Sequence, residues 1–297
     1  MAFAALILAA AAGCAASPHA TSRPARHSSP GAGRPATSAA GHGTGSAGAT
    51  QAVAAASRTT TLLSSFALTE SVSLHGLPAA AGLGATGAPA GGAARLAMHE
   101  QMRLRPSLLA AVSTHMNIGG HAMAIDEIMT SRALYLRAPG LLPNGGKPWT
   151  KVSLASLPNG MTLRKLFTQA QSSAPFSQLG SPQALAKLLK VAQHVRVVGH
   201  DAVDGAPVTE YSGVISLRHM IALMPAADRK LLGSAPAGLR AAGPFRVWID
   251  ARHYLRRIEL RLRFGKVSMQ ARVDVTAINQ PVSIVPPPAS QVSASGQ

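Results

Sequence analysis

Arg257-Ile258-Glu259-Leu260-Arg261-Leu262-Arg263-Phe264, then Val267-Ser268-Met269-Gln270-Ala271-Arg272-Val273-Asp274-Val275 after the break Gly265-Lys266, is the stretch that decides the fold class. Apolar side chains stand at every second position through both halves. A strand turns successive side chains to opposite faces, so period two means one dry face and one wet face. The break at Gly265 makes the two runs an antiparallel hairpin. Ile258, Leu260, Leu262, Phe264, Val267, Met269, Ala271 and Val273 form its dry side, while Arg257, Arg261 and Arg263 point the other way.

Outward from this hairpin, Phe245 to Asp250 reads as a third strand that turns through Asp250-Ala251-Arg252-His253. Val195 to Gly199 and Val208 to Ser216 flank the turn Val203-Asp204-Gly205, a dipeptide suited to a tight hairpin. Leu96 to Arg105, Ser107 to Met116, His121 to Met129, Arg132 to Arg137 and Trp149 to Leu154 add further strands between Pro, Gly and Ser-Arg breaks. Helices are expected in two insertions, Thr162 to Gln171 with Pro182 to Ala192, and Leu217 to Met224 with Ala226 to Leu232. Ser181 is placed to cap the helix that opens at Pro182. About ten sequential antiparallel strands with few helices make an α+β, mainly antiparallel β domain, a half-open curved barrel with helices inserted over its concave face.

The N-terminal part is different in kind. Ala2 to Ala12 is an uncharged apolar run ending in Ala11-Ala12-Gly13-Cys14, and Cys14 is the single cysteine of the 297 residues. An exported chain with one thiol makes no internal disulfide, so a lipobox, cut before Cys14 and lipidated there, accounts for it. An alanine-rich signal peptide with a coincidental cysteine stays open, and the lack of Lys or Arg before the run leaves room for a start upstream of Met1. The run is shorter than the ~20 residues that span a membrane. Residues 14–60 hold Ala, Ser, Thr, Gly and Pro with almost no large apolar side chain, and are expected to be a disordered tether. About 45 such residues would reach roughly 40 Å from the extracytoplasmic membrane face. The domain is expected over 61–288 and a disordered tail over 289–297.

Net charge is +17, from 28 Lys and Arg against 11 Asp and Glu. Arginine-rich coding bias and attraction to anionic lipid, at about 1 kcal/mol per basic residue near the surface, both account for it. Nucleic acid is set aside, because an exported, anchored chain without a basic-aromatic motif has no occasion to bind it.

Catalytic motifs are missing from the sequence: no G-x-S-x-G, H-E-x-x-H, Walker A or paired cysteines. Gly82-x-Gly84-x-x-Gly87 lies in an Ala/Gly/Pro stretch with no helix after it. His115 with His121, and His194 with His200, are the spacings that could bring imidazoles together, against a background of scattered surface histidines. Asp126 and Glu127 are adjacent on a strand and face opposite ways. No enzyme, metal site or cofactor is expected. Small aliphatic and Met side chains, with aromatics at 4%, would line an interior suited to flexible acyl chains.

Tyr135-Leu136 before Gly146-Lys147-Pro148-Trp149-Thr150-Lys151, Val198 to Gly205 leading to Thr209-Glu210-Tyr211, Val247-Trp248-Ile249-Asp250 and the closing Pro281 to Pro286 together resemble the LppX/LprG-type lipoproteins of actinobacteria. The resemblance covers roughly residues 62 to 288 and implies the LolA-like lipoprotein-carrier fold. It also implies an acylated lipid or glycolipid held on the concave side, for transfer or presentation in the envelope. The rival expectation is an envelope interaction or sensory module whose core is filled by its own side chains.

Overall fold

The computed structural model describes residues 45–77, 92–140, 146–153, 182–216, 242–264 and 267–294. In chain order they form α1 (Gly45–Thr61), β1 (Ser65–Leu77), β2 (Gly92–Arg103), β3 (Leu109–Ile118), β4 (His121–Met129), β5 (Ala133–Arg137) and β6 (Trp149–Ser153). There follow α2 (Pro182–Lys190), β7 (Ala192–Val203), β8 (Ala206–Ser216), β9 (Ala242–Asp250), β10 (Leu255–Phe264), β11 (Val267–Ile278) and β12 (Val292–Ala294). The expected helices over 162–171, 217–224 and 226–232, the Ser181 cap, the Gly82 motif, Cys14 and the signal segment 1–13 lie outside the described residues.

All twelve strands join one open, curved sheet in the order β12-β6-β5-β4-β3-β2-β1-β11-β10-β9-β8-β7. Every pairing is antiparallel except the last, β12 on β6. The period-two reading survives intact in the register, where Ile258 faces Val273, Leu260 faces Ala271 and Leu262 faces Met269. Asp204 and Gly205 both adopt positive φ, 50° and 76°, which is the backbone of a type I′ hairpin turn between β7 and β8. Asp250 organises the turn into β10 by accepting hydrogen bonds from the Arg252 and Tyr254 amides at 3.0 and 2.9 Å.

Two boundaries differ from the sequence expectation. Val292–Ala294 is a strand and no tail, held to Trp149–Lys151 and clamped where the Lys147 ammonium donates to the Val292 carbonyl at 3.1 Å. The tether also ends earlier than expected, because Gly45–Thr61 is a helix. Its composition is low in large side chains, yet alanine is the best helix former, and Ala49, Val53, Ala56, Ser57 and Thr60 recur at helical spacing as a narrow buried stripe. Small residues let α1 lie close upon its neighbours. Ser57 donates to the Ala186 carbonyl of α2 at 2.8 Å, and Ser46 to the Val195 carbonyl of β7 at 3.3 Å.

The face that α1 and α2 cover is the inner one. Leu185, Leu188 and Leu189 of α2 join Val53, Phe66, Leu68, Phe245, Val247, Leu260 and Val273 in one core. Gly213 sets a local limit on that core. A Cβ there would lie 2.6 Å from the Phe245 ring and 2.8 Å from the Gln193 carbonyl oxygen. Gly213→Ala is therefore expected to cost about 1–3 kcal/mol through overpacking, seen as a lowered urea midpoint. An unchanged midpoint would mean that Phe245 swings aside freely.

Candidate functional site: the inner face of the sheet

Of the expected lining residues, Ile258, Leu260, Leu262, Met269, Ala271 and Val273 share the inner face and are buried in the main core. Val267 is half-buried, and Phe264 is placed by its backbone opposite Val267. The space nearest them beneath α1, lined by Thr60, Leu63, Phe66, Leu185 and Tyr254 among others, is about 10 Å³. That is at the lower limit for one water molecule, so this side of the sheet is closed by its own side chains.

Following the register across to β6 shows where the inner face changes character. One rung runs Phe66, Met102, Ala110, Met129, Leu134, Val152. The next runs Leu68, Glu100, Val112, Glu127, Leu136, Thr150. A third runs Val273, Glu70, Met98, Thr114, Ile125. On the β2–β5 side, Leu96, Met98, Val112, Met123, Ile125, Leu134 and Leu136 are only half-buried. They form a trough of flexible aliphatic and Met side chains, continuous with the packed wall of β10 and β11.

Three carboxyls interrupt this apolar surface. Glu70 is 2% exposed and Glu100 6% exposed, and both sit between apolar neighbours on adjacent strands. Burial, with the charge of nearby Glu127 adding to it, pushes the Glu100 carboxyl up to about 8. Burial likewise raises Glu127 above the usual carboxylate range. At neutral pH Glu100 is therefore a protonated acid, able to donate as well as accept a hydrogen bond. Sequence reasoning had separated Glu127 from Asp126 by face, which the register shows, since Asp126 sits with Ser113 and Arg137 on the outer side. It missed Glu70 and Glu100. Glu70 interrupts the alternation of Phe66, Leu68, Val72 and Leu74 on β1, so the sequence carries no clean period-two signal there.

The outer face is polar and ion-paired. Arg257 and Arg272 both donate to Asp274, whose carboxyl burial would raise but whose bonds to the two guanidiniums hold below its ordinary range. Arg257 also lies over the Trp248 ring and Arg137 over Trp149, so both tryptophans pack on the outside. Arg257 is thus committed to a partner, whereas Arg261 and Arg263 are exposed, as their parity requires. A shallow outer depression of about 340 Å³ is bordered by Thr69, Ser71, His99, Ser113, His115 and Arg272. Of the histidine pairs, His115 stands in register with Ala124 on the outer face and His121 with Ile118 on the inner one, so β3 and β4 hold them apart. His200 instead meets the Thr209 hydroxyl at 3.3 Å. Among the described residues no group of three or more His, Cys, Asp or Glu could hold a metal, and no helix is long and apolar enough to cross a membrane.

No family model and no curated protein matches the chain. Solved structures do resemble it. LprF from Mycobacterium bovis is 14% identical with a TM-score of 0.44, over 82% of this chain and 99% of that one. The lipoprotein LppX from Mycobacterium tuberculosis is 17% identical with a TM-score of 0.41, over 80% and 99%. MucB is 10% identical with a TM-score of 0.26, over 84% of this chain and 62% of its own. Mycobacterial lipoproteins of the LppX and LprF type are thus what this chain is similar to, and its own described residues form an open antiparallel sheet with helices on one face.

Proposed function

We propose that this protein binds an acyl lipid or glycolipid without turning it over, at the extracytoplasmic face of a membrane to which lipidated Cys14 ties it. The observation that carries the proposal is the contrast within one face of one sheet. Beside β10 and β11 the inner face is packed shut, while from β2 to β5 it stays half-buried, apolar and rich in Met. A soluble domain that leaves such a surface continuous with its core has an apolar guest for it. Each methylene buried there contributes about 0.8 kcal/mol, so affinity rises with the number and length of acyl chains held. Ile258, Leu260, Leu262, Met269, Ala271 and Val273 are the packed wall against which the chain lies.

The closed space of about 10 Å³ beneath α1 favours the rival reading for that part of the molecule: an interaction module with a self-filled core. Substitutions separate the two. Ile125→Asp, at a half-buried trough position, is expected to lower lipid retention at least tenfold while leaving the thermal midpoint within a few degrees. Leu260→Arg, at a position 2% exposed, is expected to unfold the domain. Native mass spectrometry of protein purified without detergent reads both, since bound species differing by methylene masses identify an acyl guest. Undiminished retention in Ile125→Asp would remove the trough from consideration.

A further inference from the structure

We propose that Glu100, Glu127 and Thr150 form a headgroup site in the trough, one that takes lipid headgroups offering hydrogen-bond donors without negative charge and refuses anionic phosphate. This rests on the lipid-binding reading and adds to it the chemistry of the ligand's polar end.

The placement of charge is the first ground. The chain has 28 Lys and Arg and only 11 acids. Asp126, Glu210, Asp250, Glu259 and Asp274 are each ion-paired to an arginine. Glu100 and Glu127 have no ion pair or hydrogen bond among the described residues, though basic side chains are abundant. Their inner-face neighbours in register are Leu68, Val112 and Leu136, so no cation faces them from β1, β3 or β5. An acid buried without a partner destabilises the fold, and a chain this rich in arginine could have paired or replaced it.

A second observation comes from a different strand and a different chemical group. The Thr150 hydroxyl on β6, at the end of the same rung, is shielded from solvent and has no hydrogen-bond partner. Buried hydroxyls are nearly always satisfied, so a donor or acceptor from outside the chain is missing here. Glu100 and Glu127 are two strands apart, about 10 Å between backbones at the usual strand spacing, which leaves room between carboxyls for one group the size of a sugar ring or a glycerol. Such a group presents hydroxyls that both donate to and accept from a protonated acid. An ammonium group would instead draw the proton out and pair with the carboxylate. Phosphate would bring a negative charge into this buried setting, where the residues facing the two acids from β1, β3 and β5 are Leu68, Val112 and Leu136 and offer no cation, so the loss of its hydration is not offset.

The test uses the full chain and three lipids with identical acyl chains: a neutral glucosyl diacylglycerol, a diacyl lipid with a trimethylammonium head, and phosphatidic acid. Equilibrium dialysis with mass detection is expected to show the first binding at least tenfold more tightly than phosphatidic acid. The trimethylammonium head carries positive charge and no hydrogen-bond donor, so weaker binding than the glucosyl lipid supports recognition through donors, and tighter binding overturns it. Paired Glu100→Gln and Glu127→Gln substitutions are expected to bring phosphatidic acid within about threefold of the neutral lipid, with acyl binding retained. Either single substitution is the fallback if the pair unfolds. Equal binding of all three lipids by the parent chain overturns the headgroup assignment alone. Failure of all three overturns the trough reading with it.

Discussion

A chain that begins at residue 62 is expected to lose cooperative folding, whereas one that begins at residue 44 keeps the urea midpoint of the full protein. The difference is α1. Ala49, Val53 and Ala56 of that helix are at most 2% exposed, and Ser57 and Thr60 are buried beside them. Removing the helix takes those side chains from the core, leaves the Ala186 carbonyl without the Ser57 hydroxyl, and opens the α2 and β7 surfaces it covers. Each carbon buried in these small side chains contributes about 0.8 kcal/mol, and the leucines of α2 that the helix covers lose burial with them, so the joint loss approaches the 5–15 kcal/mol that holds a domain together. In the full chain, Val53→Asp puts a charge where exposure is 1%, and a loss of about 3 kcal/mol or more is expected. Denaturation of the two shortened chains and of this variant, followed by far-UV circular dichroism, gives the answer. Identical midpoints would make α1 a passenger on the sheet.

The same helix shows what the sequence conceals. Low complexity and absence of large side chains are the marks of a disordered stretch, and they describe Gly45–Thr61 as well as residues before it. What distinguishes the helix is a stripe of Ala and Val at helical spacing, and its worth depends on a surface flat enough for small residues to approach. That surface is made of α2 and β7, more than a hundred residues away. Long-range pairings of this kind leave no local trace. The β10–β11 hairpin lies at the other extreme, because face alternation and a glycine break are local properties and the register follows from them. The site falls between. Parity alone assigns Ile258 to Val273 to one face. It cannot tell which part of that face is packed shut and which stays half open, since that depends on where α1 and α2 sit. Nor can it align Glu100 with Glu127, because the register of two hairpins in succession is needed to bring β2 and β4 onto one rung.

Glu100→Gln is expected to flatten the dependence of stability on pH over the neutral range. The Glu100 carboxyl is raised from 4.5 to about 8 in the folded chain, so between those values the folded protein keeps a proton that the unfolded chain has released. The stability tied to that proton is fully present below about pH 4.5. It declines by up to ~1.4 kcal/mol per pH unit above that, and is lost once pH passes about 8. Glu127, raised by burial, adds a contribution of the same sign. Asp274 has the opposite sign, since its carboxyl is held low by Arg272 and Arg257, but it acts only in acid, below the ordinary carboxylate range. The parent protein should therefore be most stable near pH 5 and lose several kcal/mol by pH 8.5. Gln has the same shape and no proton to release. The variant should match the parent near pH 5, show a much flatter profile above it, and exceed the parent's urea midpoint at pH 8.5. Parallel profiles for parent and variant would mean that Glu100 is solvated or paired in the folded protein. A flattened profile together with weakened discrimination between neutral and anionic lipids would tie the cost of burying this acid to the ligand it receives.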